Sequence, residues 1–464
     1  MLLILSAVLT LLALGGPVPG AIAGGSHQTA SANSAERTRR IEQLAAELRT
    51  GDPWPAIRRE RIRTLLPRAM DGAKVDAWVL FCRENHNDPL AKHVGGEHAG
   101  RLTVFLFFRT ADSVKSVALA PASEAITLRE RLPDTEVVST PPDQEANLFR
   151  ETAARIAAAN ARAIAVNKST LAAADGLTAT HEDALVAALG PLASRLTSSE
   201  ELVFRWLGVK LPAEIAIMRT AAALTDLIEY EALDAIVPGT TTNGDLIRLL
   251  RDRVEGLELG HAWPDNPGIQ SGLDRGRGND ATRRIIGGDI IDIDFGIRVY
   301  DTWVTDVQRF AYVLKPGEAE PPAIVKKAWD AAKASSRKMQ AAMRPGVAGW
   351  EIDRVQVEWM KSQGSLPHWA NTGHAVGYWA HDVGPNIMGY RAGPAPAPGP
   401  GMRLLEPGMT FAYDGNYVWP AEDAGLTGTR SVTLEEMVVI TDRGSEYLSP
   451  VQEAMVLIPP GGRK

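Results

Sequence analysis

The stretch that most constrains this chain is Asp289–Tyr312, DIIDIDFGIRVYDTWVTDVQRFAY. Ile291, Ile293, Phe295 and Ile297 alternate with Asp292, Asp294, Gly296 and Arg298, the period-two pattern of a strand with one buried face. A second alternating run, Thr302–Tyr312, follows a short polar break, so the pair predicts a β-hairpin. Asp294 and Asp306 are expected to face each other across its ladder. Two carboxylates held together there repel one another unless a cation lies between them. A metal is the first reading, and a wet acidic face is the alternative that this stretch alone leaves open. Asp292, two residues before Asp294 on the same face, reads as a solvent-facing acid near the strand start, with a ligand or supporting role as the other option.

The 464 residues are enough for two or three domains around a large core. A hydrophobic fraction of 45% with 23% charged residues is ordinary for a globular protein. The net charge of -7, with no basic tract, argues against nucleic-acid binding. The first residues stand apart. Leu2–Leu14 is an apolar run, followed by Gly15, Gly16 and Pro17, and Ala21-Ile22-Ala23 fits a small-x-small cleavage site. Residues 1–23 therefore read as an export signal peptide, too short for a comfortable membrane span. No Lys or Arg precedes the apolar run, and an uncleaved anchor is the alternative. The expected location is periplasmic or secreted, without stable membrane insertion after cleavage. Cys82 is the single cysteine, which excludes an intramolecular disulfide; it lies in the apolar run AWVLFCR and reads as a buried thiol.

Residues 24–35 read as a flexible leader, and residues 36–205 as an α/β domain. Its apolar runs at 76–81, 102–108, 116–120 and 163–167 predict strands, between segments of helical spacing at 36–48, 54–70, 148–159 and 182–189. Its histidines, His86, His93, His98 and His181, read as ordinary surface residues. Residues 206–464 have a different character. A long amphipathic helix opens at Pro212, a residue suited to a first helical turn, and ends at Pro238-Gly239. Further helices are predicted at 242–254, 322–343 and 350–362, with strands and loops in the last hundred residues.

Those last residues supply partners for the acidic hairpin. TGHAVGYWAHDVGP carries His374 and His381; LEPGMTFAYDGN carries Asp414; VTLEEMVVITDRG carries Glu435 and Glu436. Four carboxylates and one imidazole suit two hard-to-borderline divalent ions. Such a pair clamps the attacking and leaving oxygens of a hydrolysis.

In this order and context the motifs resemble the pita-bread metallopeptidase family, which includes Xaa-Pro aminopeptidases, prolidases, methionine aminopeptidases and the metal-free creatinases. The resemblance spans about Leu211–Leu448, and Glu36–Arg205 resembles the creatinase-type N-terminal domain. It implies an α+β protein: a C-terminal pita-bread catalytic domain preceded by an α/β domain. Asp294 in IDFG, Asp306 in TDVQR, His374 in GHAVG, Asp414 and Glu435 match the family's metal ligands, and His381 in HDVGP matches its substrate-facing histidine. The implied cofactors are two divalent ions, Mn first, with Zn, Co or Fe as alternatives. The implied activity is that of an exopeptidase on short proline-containing peptides. In it Asp414 shuttles the proton, and the histidines orient the substrate and stabilise its oxyanion. A homodimer is among the expectations.

Four departures mark this chain. Asp294 and Asp306 are 12 residues apart, one more than usual. Asp414 stands where a Glu is usual, shorter by roughly 1.5 Å. The loop QSGLDRGRGND holds no His where the family usually has one, and the nearest is His261. Thr433 stands where an Arg is common. These departures keep two alternatives open: a non-peptidase small-molecule hydrolase or lyase on the same fold, and a catalytically degenerate binding protein.

Overall fold

The computed structural model describes residues 28–141, 145–274, 280–367, 372–390, 399–423 and 425–463. The signal-peptide reading of residues 1–23 and part of the loop before the hairpin lie outside the described residues.

The N-terminal part is built on a six-stranded sheet, β1 (Ala77–Cys82), β2 (Thr103–Arg109), β3 (Val114–Pro121), β4 (Glu136–Thr140), β5 (Ile164–Val166) and β6 (Leu196–Ser198), in the order β4-β3-β2-β1-β5-β6. β2 runs antiparallel to β1 and β3, and the outer pairs are parallel. Helices α1 (Gln28–Glu47), α2 (Trp54–Ala73), α3 (Ala91–Val94), α4 (Ala122–Arg131), α5 (Glu145–Ala158), α6 (Ala179–Leu189) and α7 (Glu200–Gly208) accompany it. β1 is buried along its whole length and β2 up to its last residue, which is why they read as continuous apolar runs. Cys82 is fully buried, as expected.

Two of the four histidines of this region depart from the surface reading. His93 is buried among Trp54, Trp206 and Tyr378, its ring 4.6 Å from that of Tyr378. His181 is buried against Phe81 and Phe149. The polar loop around His93 suggested exposure, but the partners that cover the ring come from distant segments.

The C-terminal part begins with α8 (Pro212–Asp234) and α9 (Asn243–Gly256). Pro212 opens α8, and the Glu214 carboxylate accepts the Leu211 N–H at 2.8 Å. At α9 the Thr242 hydroxyl accepts from Asp245 N and the Asp245 carboxylate accepts from Thr242 N, a reciprocal cap. Three small sheets follow. β7 (Gly260–His261), β10 (Ile297–Val299) and β11 (Trp303–Val304) form one. β8 (Gly268–Ser271), β9 (Ile290–Phe295), β12 (Val307–Val313) and β17 (Val456–Ile458) form a second. β13 (Gly373–Ala375), β14 (Thr410–Asp423), β15 (Leu426–Ile440) and β16 (Ser445–Tyr447) form a third. α10 (Ala323–Ala342) packs on β14, where a Cβ at Gly415 would meet the Ala332 carbonyl at 2.2 Å, so only glycine fits. α11 (Gly349–Ser362) packs beside α10.

The acidic stretch forms the predicted hairpin, with its face-to-face pairing corrected. Asp294 lies opposite Gln308, and the same register carries through Arg298–Val304 in the distal arm. Asp306 therefore lies opposite Gly296, two pairs further along. The longer turn keeps both acids on one face, because the offset between them is two residues. The second run is also broken, at Thr305–Asp306, into β11 and β12. Gly296 is required at the crossing, where a Cβ would meet the Thr305 carbonyl at 2.0 Å. Asp292 corrects another expectation: it is buried between Gln270 and Phe310 as ladder partners. β8 pairs along this part of β9, so the start of the strand lies inside a sheet and not at its rim.

Candidate metal centre

β13, β14 and β15 line up three of the sequence-predicted ligands on one face. His374 pairs with Ala412, two residues from Asp414, and Asp414 pairs directly with Glu435. The hairpin presents Asp294 and Asp306 from the second sheet. One ligand atom from each of Asp306, His374 and Glu435 comes within 4.8 Å of the others, and all three residues are buried. His374 Nε2 lies 3.7 Å from Asp306 Oδ2 and 3.9 Å from Glu435 Oε1. Two carboxylates and one imidazole, converging in a buried space, match the donor set and spacing of a divalent ion. The residues present fit such a group.

Gln308 joins the two sheets at this point. Its Nε2 donates to Glu435 Oε2 at 2.9 Å and to Asp414 Oδ1 at 3.2 Å, and its Oε1 accepts from Thr433 at 2.8 Å. Asp414 is tied to the cluster by the bond from Gln308, and Asp294 stands opposite Gln308 on the ladder. Gln308 is a site residue that the sequence reading missed. An uncharged polar residue in a strand gives no signal by itself. Thr433, noted only as a departure, is the residue that fixes the orientation of the Gln308 amide.

Behind the ligands lies a buried ionic cluster. Arg309 donates to Asp226 at 2.6 Å and to Glu436 at 3.3 Å, and also to the Pro450 carbonyl. Burial opposes the Arg309 charge, but Glu436, Asp226 and Glu229 outweigh it and push its pKa up. Burial raises Glu436 against the pull of Arg309, and raises Glu229 well above its ordinary value with Asp226, Glu436 and Asp292 adding to the effect. Arg309 Nη1 also contacts the Glu435 carbonyl at 3.4 Å, so this cluster fixes the backbone of a candidate ligand.

His381 sits on a loop braced from below. Its neighbour Asp382 accepts from Lys210 at 3.0 Å and from the Tyr378 and Val383 N–H groups. The Tyr378 hydroxyl donates to Glu214, which pairs with Arg61 of α2 at 2.6 Å. Burial alone would raise Glu214, but Arg61, the Leu211 N–H and Tyr378 hold it below its usual range. The result places the His381 ring 4.3 Å from that of His374, on the wall of a cavity of about 900 Å³. His261, the histidine nearest in sequence to the loop before the hairpin, lines the same cavity. Among the described residues no helix is long and apolar enough to cross a membrane.

Residues 216–442 match the model of metallopeptidase family M24. Solved structures share the fold. The X-Pro aminopeptidase of Thermotoga maritima MSB8 matches at 18% identity over 84% of this chain and 100% of its own, with a TM-score of 0.62. The dipeptidase PepE of Mycobacterium ulcerans matches at 20% identity over 88% and 100%, with a TM-score of 0.63. The Xaa-Pro dipeptidase of Bacillus anthracis matches at 20% identity over 86% and 100%, with a TM-score of 0.61. No curated protein matches the chain by sequence.

Proposed function

We propose, from a chain whose residues 216–442 match metallopeptidase family M24, that the protein is a metal-dependent exopeptidase that hydrolyses short proline-containing peptides in the manner of an Xaa-Pro aminopeptidase. The observation that carries this reading is the buried convergence of Asp306, His374 and Glu435 within 4.8 Å. Asp294 and Asp414 complete the proposed ligand set, for two divalent ions with Mn as the first choice. Such ions, when held there, acidify a water and polarise the scissile carbonyl.

The chain's own residues supply the rest. His381, beside His374 and facing the cavity, donates to the carbonyl oxygen as negative charge builds on it. Asp414 takes a proton from the attacking water and returns it to the leaving nitrogen as the C–N bond breaks. Gln308 holds the Asp414 and Glu435 carboxylates in place during that transfer. Fixed positioning is the main contribution of such a scaffold, since proton transfer depends on geometry before pKa.

The test is turnover of Xaa-Pro dipeptides and tripeptides by the Mn- or Co-loaded protein. Cleavage abolished by a chelator is expected; no cleavage of any peptide with metal confirmed bound would sink the reading. The loop QSGLDRGRGND, which lacks a His, favours a small-molecule hydrolase or lyase as the second reading. A small-molecule screen with the same preparation separates the two. Export to the periplasm or medium is proposed from the sequence of residues 1–23 alone, and N-terminal sequencing of the mature protein checks it.

A further inference from the structure

The cavity beside His381 carries one feature that the proposed chemistry does not use. Its walls include Leu171 of the N-terminal part and Trp263, Pro264 and Trp379 of the C-terminal part. Among them lies the guanidinium of Arg298, on β10 of the acidic hairpin. Arg298 donates from Nε to the His261 carbonyl at 3.4 Å, from Nη1 to the Tyr378 carbonyl at 3.2 Å and from Nη2 to the Ala262 carbonyl at 3.1 Å. Each bond uses one N–H, so both terminal nitrogens keep a second. Among the described residues no carboxylate lies within ion-pair distance of Arg298, although it is largely withdrawn from water. Burial lowers its pKa, with the charge of Asp301 in opposition. The guanidinium is fixed by three carbonyls and partly desolvated, with no carboxylate in direct ion-pair contact, so its remaining N–H groups are open to a further acceptor. Its planar fork is suited to a carboxylate.

We propose that this cavity binds the segment of a peptide substrate on the C-terminal side of the scissile bond, with Arg298 holding its free α-carboxylate. The inference rests on the peptidase reading above. Its apolar walls and its volume of about 900 Å³ far exceed the needs of one pyrrolidine ring and match those of a larger ligand. Arg298 on β10 lies four residues beyond Asp294 on β9, a backbone span of at most roughly 13 Å at the rise of extended chain, which is within the length of a short peptide segment. The selected class is therefore a tripeptide or tetrapeptide with a bulky apolar residue and a free C-terminus, in preference to a dipeptide or a long chain.

The experiment compares three peptides with the Mn-loaded full chain: Ala-Pro-Phe as the free acid, the same peptide as its amide, and Ala-Pro-Gly as the free acid. The acid is expected to exceed the amide at least tenfold in kcat/KM, and the Phe peptide to exceed the Gly peptide. Arg298→Ala should collapse the acid-over-amide preference to about one, with the loss on KM, and Arg298→Lys should restore part of it. Equal cleavage of acid and amide by the unaltered protein would overturn the assignment. So would an equal loss on both peptides in Arg298→Ala, which identifies a clamp for β7 only. Absence of turnover on all three, with metal bound, would overturn the peptidase reading and this proposal with it.

Discussion

Asp294 and Gln308 occupy opposite positions on β9 and β12, and the Gln308 amide reaches from there to Asp414 and Glu435 in the neighbouring sheet. One uncharged side chain thus registers two sheets that each bring part of the ligand set. Substituting Gln308→Leu keeps the volume and removes the donor. Hydrogen bonds that orient ligating carboxylates contribute about 10–100-fold to metal affinity. A loss of that size is expected in competition with a chromogenic chelator, with the far-UV spectrum unchanged.

Asp306→Asn keeps the shape of a candidate ligand and removes its charge. With His374 Nε2 at 3.7 Å from that carboxylate, the substitution should lower bound metal to below one ion per chain by elemental analysis. The rise in Tm on adding Mn should shrink in parallel. Two ions per chain in Asp306→Asn would remove this residue from the ligand set.

Arg309→Met leaves Asp226 and Glu436 buried without their shared cation. Breaking a buried pair by removing one partner costs about 3–5 kcal/mol. Urea unfolding should show a loss of that order, and soluble yield should fall with it. A change under 1 kcal/mol would mean that water replaces the guanidinium.

Lys210→Met removes the cation facing Asp382, both side chains being buried. The loop that carries His381 then loses its anchor while the five candidate ligands stay intact. The expected result is a fall in kcat of tenfold or more with unchanged metal content. Equal losses of metal and activity would show that the loop also supports the ligands.

Asp88 gives a pH signature remote from the site. Burial pushes its carboxyl from 3.8 up to about 6, against hydrogen bonds from the Leu90 N–H and Asn167. The unfolded chain releases this proton first as pH rises, so the native state binds the extra proton between about pH 4 and 6. The group's contribution is therefore present below pH 4 and is lost as pH rises to 6, by roughly 3 kcal/mol. Denaturant titrations across that window, compared with Asp88→Asn, should show the slope in the parent and its absence in the variant.

Several features of the fold and site were legible because they are written in local patterns. Period-two alternation marked the hairpin at Asp289–Tyr312, and Pro212 with the apolar stripe behind it marked α8. The order of Asp294, Asp306, His374, Asp414 and Glu435 pointed to a ligand set, since each sits in a short, recognisable context. Other features depended on residues far apart in the chain. Gln308 meets Asp414 and Glu435 across more than a hundred positions, His93 is covered by Trp206 and Tyr378, and Asp292 is buried by β8. A polar side chain on a strand has the same local signature whether it faces water or a cluster of carboxylates. The sequence alone determined most of the elements and the order of the candidate ligands, through periodicity, capping and motif order. Only the tertiary structure decided which polar groups are desolvated together, because burial and cross-sheet contact are set by how the sheets pack.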